Sequence, residues 1–149
     1  MEIREYREED QAEILSLFYE TVHTVNAKDY KEKQLDAWAP QDNDYEHLNA
    51  ALRNNLTLLA IEDGKITGFA DIDENGYLDH LFVHKDYQGK GIASALCSRI
   101  EEGFKRIETH ASITARPFFE KRGYVVVKAQ DVEIRGEVLR NYVMEKRFG

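Results

Sequence analysis

The sequence has few of the residues that cross-link a chain or break it. It holds one cysteine, Cys97, and two prolines, Pro40 and Pro117, in 149 residues. A lone cysteine closes no intrachain disulfide, and without repeated Cys/His spacing no metal site is expected. No apolar run is longer than the LLAI of residues 58–61, far below the ~20 residues of a membrane-spanning helix. The opening MEIREYREED is too acidic and polar for a secretion signal, so a cytoplasmic location and no membrane partner are expected. Positive charge is also scarce: 20 Lys and Arg against 28 Asp and Glu leave a net charge of -8. That sign is opposite to the footprint of a nucleic-acid binder, and no nucleic-acid partner is expected.

What is present is an ordinary globular balance, 42% hydrophobic and 32% charged. It is too apolar for a disordered chain and suits a single domain over residues 1–149. Residues 3–6 read as a first strand. Asp10 is placed to cap a helix that carries Ile14, Leu15, Phe18 and Val22 on one face. Two short polar helices between residues 30 and 55 are interrupted at Pro40. Three strands follow at 56–61, 66–72 and 77–83, separated by Asp63-Gly64 and Asn75-Gly76, both hairpin signals. From 89 to 104, Ile92, Leu96, Ile100 and Phe104 recur every four residues and predict a helix with one buried face. A strand at 107–112, a short helix at 115–122 stopped by Gly123, and two strands turning near Arg135-Gly136 complete a mixed α/β sheet with helices on it.

The stretch from Val83 to Ser94 lies between a predicted strand and a predicted helix. Gly89 and Gly91 let the backbone approach a ligand closely, and the first N–H groups of a helix lack intrahelical acceptors. Together with the helix dipole they suit a phosphate, and pyrophosphate is the natural guest. Two nucleotide-binding patterns fit poorly. Gly89-x-Gly91-x-x-Ser94 lacks the third Rossmann glycine, and Lys90 is followed by Gly91 rather than by the Ser or Thr of a Walker loop.

Gln88-x-x-Gly91-x-Ala93, after a strand ending in Val83, resembles the acyl-CoA signature Q/R-x-x-G-x-G/A of the GNAT N-acetyltransferase superfamily. Downstream, Ser112-x-x-Ala115-x-x-Phe118-Phe119-x-Lys121-x-Gly123-Tyr124 is similar to the family's second motif, usually N-x-x-A-x-x-F-Y-x-K-x-G-F. The resemblance implies an α/β fold with a mostly antiparallel sheet flanked by helices, in which two neighbouring strands splay to admit acyl-CoA. It implies acetyl-CoA as co-substrate and direct transfer of the acetyl group to a primary amine, with a small molecule expected as acceptor. A protein N-terminus or lysine is the alternative acceptor, and a catalytically silent acyl-CoA sensor is the alternative outside enzymes.

By the same resemblance the amides of Gln88, Gly89, Lys90, Gly91, Ile92 and Ala93, with Ser94 at the margin, would hold the pyrophosphate. Phe82 and Val83 would border pantetheine and supply an N–H to the thioester oxygen, a donor aimed where charge develops. Ser112, Phe118, Phe119 and Lys121 of the second motif would lie along the cofactor. A homodimer stays open.

Acetyl transfer needs a neutral amine nitrogen, so a group must accept a proton. Asp79 is the expected base, on a strand face shared with Tyr77, Leu81 and Val83; the alternative is a carboxylate that is only solvated or salt-bridged. His80 is expected on the opposite face, in a structural role. The family's usual acid is a tyrosine, and Phe119 stands in its place. Ser112, Tyr142 or water could substitute, and a CoA thiol with a pKa near the ~8.5 of cysteine could leave without a dedicated acid. Cys97 lies on the apolar helix face and is expected to pack. Tyr30, Trp38 and His47 fall in the segment that commonly walls the acceptor pocket in the family, a wall suited to a cationic or apolar amine.

Overall fold

Strand alternation and helical spacing sort the apolar residues onto the two sides of one sheet. The computed structural model describes residues 1–42 and 45–149. In chain order these form β1 (Glu2–Glu5), α1 (Gln11–Thr24), α2 (Glu32–Trp38), α3 (Glu46–Asn54), β2 (Leu56–Glu62), β3 (Lys65–Ile72), β4 (Tyr77–Val83), α4 (Ile92–Ile100), β5 (Arg106–Ser112), α5 (Arg116–Lys121), β6 (Val125–Ile134) and β7 (Glu137–Arg147). The seven strands run in the order β1-β2-β3-β4-β5-β7-β6. Every neighbouring pair is antiparallel except β4 and β5. This is the mixed, mostly antiparallel α/β sheet expected from the sequence.

One side of the sheet packs Leu59 and Phe69 against Ile14, Phe18 and Val22 of α1 and against Leu35, Leu48 and Leu52 of α2 and α3. The other packs Leu58, Ala60, Ile72, Leu78, Ile107 and Met144 against Ile92, Leu96, Cys97 and Ile100 of α4. Leu58 and Ala60 face one way and Leu59 the other, as a period of two requires. On α1, Leu17 and Thr21 complete the buried face, while Leu15 is only half-buried.

Two local expectations are corrected. Asp10 sends no side-chain hydrogen bond into α1. Its carboxylate instead accepts from the Arg7 backbone N–H at 2.8 Å and from both terminal nitrogens of Arg4 at 2.9 Å, so a charged partner outcompetes the helix end. The helix predicted from 89 starts only at Ile92, because Gly91 sits at φ 81 in the left-handed region and ends the preceding turn.

Two features of β4 shape the site. It pairs with β5 only at Tyr77↔Glu108 and Leu78↔Thr109, after which the two strands part. Its register against β3 passes from Asp71↔His80 to Ile72↔Leu78, which leaves Asp79 as one extra residue, a β-bulge.

Candidate active site

The parting of β4 and β5 opens a cavity of about 510 Å³ across the end of the sheet. Thr109 Oγ1 donates to the Leu78 carbonyl at 2.8 Å at the last point where the strands touch. Beyond it, β4 has backbone groups with no strand to pair with. His84 N–H donates to the Thr67 carbonyl of β3 at 2.8 Å. Alternation then turns the amides of Phe82 and His84 toward β3, and those of Leu81 and Val83 toward the cleft. Thus Phe82, expected to offer its amide, contributes its ring instead, which stacks on Phe69 at 5.7 Å and lines the cavity.

The turn that follows is built to leave donors free. Gln88 Nε2 donates to the Val83 carbonyl at 2.6 Å, which ties the turn to the strand end. The first hydrogen bond of α4 is Ala95 N–H to Gly91 carbonyl, so the N–H groups of Ile92, Ala93 and Ser94 precede any intrahelical acceptor. Gln88 and Ala93 line the cavity. Gly89, Lys90, Gly91 and Ser94 are exposed, and the Ile92 side chain is buried in the core, so these five can meet a ligand through their backbone.

The second-motif residues divide. Ser112, Phe118 and Phe119 line the cavity, whereas Lys121 does not, and neither does Tyr142, the substitute acid expected on the last strand. Ser112 Oγ accepts from Ala115 N–H at 3.0 Å and so caps the turn into α5. Phe119 is 2% exposed, edge-on to Tyr124 at 5.0 Å. The Tyr142 ring carries the Arg116 guanidinium at 4.5 Å. Burial pushes the Cys97 thiol up to about 12, which leaves it a packing residue.

The bulge at Asp79 overrides the simple alternation expected of β4, because an extra residue lets two successive side chains leave the same side. Asp79 and His80 therefore join one network. Asp79 Oδ2 is 3.0 Å from His47 Nε2, and Asp79 Oδ1 is 3.8 Å from His80 Nδ1. His80 Nδ1 donates to Asp71 Oδ1 at 2.8 Å, and Asn55 Nδ2 donates to Asp71 Oδ2 at 2.9 Å. Asp71 is fully buried, Asp79 mostly buried and His47 exposed, so the network runs from the core to solvent. Burial alone would depress the His80 pKa, but the Asp71 hydrogen bond and the charges of Asp71 and Asp79 outweigh it and hold the imidazole above its ordinary value. Nitrogen and oxygen atoms of His47, Asp79 and His80 all lie within 4.8 Å of one another, close enough to share a cation. The imidazolium form of His80 that Asp71 favours has no lone pair to give one.

Sequence reasoning marked Tyr30, Trp38 and His47 as a wall, and all three line the cavity. It missed the way Tyr30 bolts that wall in place: its hydroxyl donates to the Arg140 carbonyl at 2.6 Å and accepts from Ile113 N–H at 2.9 Å. Thr21 and Asn141 also line the cavity and were not foreseen. Polar residues without a motif carry no signal of their own.

A parallel strand pair that opens beside a helix N-terminus is a specific arrangement, and comparison with known proteins places it. The acetyltransferase (GNAT) domain family matches residues 26–147. The chain belongs to the GNAT family. It is 33% identical over 144 residues to the uncharacterised N-acetyltransferase YafP of Escherichia coli strain K12, covering 97% of this chain and 94% of that protein. Among solved structures, a GCN5-related N-acetyltransferase from Rhodopseudomonas palustris superposes with a TM-score of 0.94 at 35% identity, over 99% of this chain and 95% of that one. The PaiA N-acetyltransferase of Thermoplasma acidophilum, solved in complex with coenzyme A, has the same fold: TM-score 0.78 at 21% identity, over 99% and 98% of the two chains. The GNAT architecture thus accounts for the order of elements from β1 to β7 and for the opening between β4 and β5.

Proposed function

We propose that this GNAT protein transfers the acetyl group of acetyl-CoA directly to the primary amine of a small molecule. The observation that carries the reading is the opening after Leu78, where the Leu81 and Val83 amides turn to the cavity just ahead of a helix start with three free N–H groups. In this reading the N–H groups of α4 and of the turn at Gly89–Gly91 hold the pyrophosphate of CoA, where dipole and donors both favour an anion. Pantetheine lies along β4 in place of a partner strand, and the Val83 N–H points at the thioester oxygen. A fixed donor there binds the tetrahedral oxyanion more strongly than the ground-state carbonyl, which lowers the barrier.

Asp79 is the proton acceptor. It is the one carboxylate among the described residues that line the cavity, and its second oxygen touches His47, whose side chain is 78% exposed. The amine nitrogen attacks the thioester carbon and its proton passes to Asp79. The C–S bond then breaks, and CoA leaves as a thiolate that takes a proton from water. His47 offers the proton on Asp79 a way to solvent. No tyrosine acid is required, because a thiol with a pKa near ~8.5 is a good leaving group.

Phe119 at the position of the usual acid favours a second reading, a binding domain that holds acetyl-CoA without turnover. The test is release of free CoA with and without added amine. Asp79→Asn should lower kcat/KM by ~10²–10⁴-fold, and the loss should shrink at high pH, where solvent has already deprotonated the amine. A drop of equal size at every pH would assign the carboxylate to acceptor binding instead, and amine-independent CoA levels would favour the silent domain.

A further inference from the structure

The walls of the cavity opposite the CoA turn differ in character from the acidic surface of the protein. We infer that the acceptor is an arylalkyl primary amine carrying a single positive charge, an inference that rests on the acetyltransfer reading above. Three aromatic side chains are contiguous along this wall. Tyr30 meets Trp38 edge-on at 5.6 Å, and Trp38 lies 6.2 Å from Phe82. Tyr30 is fixed by its two backbone hydrogen bonds and Phe82 by its stack on Phe69, so the wall is formed before any ligand arrives. A flat ring gains contact here at little ordering cost.

Charge selects within the amines. The protein carries an excess of 8 acidic residues, yet Asp79 is the single carboxylate among the described residues that line the cavity. One ammonium has a counter-ion there. A second would meet none, and would face His80, an imidazole raised toward its charged form. A polyamine or aminoglycoside would bury uncompensated charge, which is expensive in a partly desolvated site.

Two polar atoms complete the argument. Thr21 Oγ1 and Asn141 Oδ1 are buried and have no hydrogen-bond partner among the described residues. Both residues line this cavity, and Thr21 is 3% exposed. Unmet buried polar atoms are uncommon and call for a partner. A ring substituent such as a phenol hydroxyl, which both donates and accepts, can serve either atom.

The experiment measures free CoA with saturating acetyl-CoA and three probes: tyramine, n-butylamine and spermidine. Tyramine is expected to exceed each of the others in kcat/KM by roughly tenfold to a hundredfold, the range that shape and contact in an apolar pocket supply. Trp38→Ala should bring the tyramine-to-butylamine ratio toward one, whereas damage to the fold would lower both alike. Trp38→Leu, which keeps apolar volume, serves if the alanine variant does not fold. Spermidine or butylamine matching tyramine would overturn the inference and leave acetyl transfer standing. Bound acetyl-CoA with no CoA release from any of the three would overturn acetyl transfer to small amines, and this inference with it.

Discussion

Gly91 offers a way to separate the cost of folding from the cost of binding. Its φ of 81 places it in the left-handed region, and a Cβ built there meets no atom within 4 Å. Gly91→Ala therefore adds strain without a clash, about 1–2 kcal/mol for an L-residue held in that conformation. For a chain of this size that is a fall in Tm of about 2–8 °C. Gly103, just past the end of α4, has φ 86 and the same empty surroundings, but it lies at the far end of the helix from the proposed pyrophosphate site. Gly103→Ala should cost the same in Tm and nothing in acetyl-CoA affinity. At Gly91 the new methyl stands where the backbone would meet the pyrophosphate. Loss of one charge-assisted hydrogen bond, about 1.5–3 kcal/mol, would raise the acetyl-CoA Kd by roughly 10–150-fold. Calorimetric titration of both variants, beside thermal melts, reads the two effects separately. If the two variants bound acetyl-CoA equally well, the turn at Gly91 would be a structural corner with no part in holding the cofactor.

Other outcomes follow from the charged contacts. The Arg4 hydrogen bonds hold the Asp10 carboxyl below its ordinary value, so this pair stabilises the fold above pH ~3.9 and is lost as pH falls through the depressed pKa. Asp10→Asn should lower the neutral-pH Tm by about 2–6 °C, and the gap to wild type should close in acid melts. His80 has the opposite sign: its pKa is raised in the fold, so its contribution is full below pH ~6.5 and lost as pH rises through the raised value. His80→Gln should therefore flatten the alkaline decline of Tm. Acetyl-CoA affinity should be unchanged by a chelator, since the proposed donors are backbone amides; a loss of affinity in folded protein would point to an ion at His47, Asp79 and His80.

The elements legible in the sequence are those whose pattern is local. Ile92, Leu96 and Ile100 announce α4 because one face repeats every four residues, and all three are buried. The strand-turn-helix at Val83–Ala93 is legible for the same reason, since donors and glycines sit within one short stretch. The acid–imidazole network is not. The bulge at Asp79 is a one-residue slip against β3, invisible to a period-of-two reading of β4 alone. Asp71 is a carboxylate at 0% exposure on a central strand, tolerated because its cross-strand neighbour His80 and the side chain of Asn55 both bond to it. His47 meets Asp79 across 32 residues of chain. Lys121 shows the limit of matching a motif residue by residue, because a matched position in sequence does not decide which way a side chain points.

The central claim is chemical, and mass spectrometry of the reaction mixture tests it most directly. Purified protein, acetyl-CoA and tyramine are incubated together, and free CoA and N-acetylated amine are counted over time. The account predicts that the two products appear in equal amounts, that neither forms without protein or without amine, and that Asp79→Asn slows both together. Acetyl-CoA that stays intact while bound, or CoA that appears without acetylated amine, would contradict it.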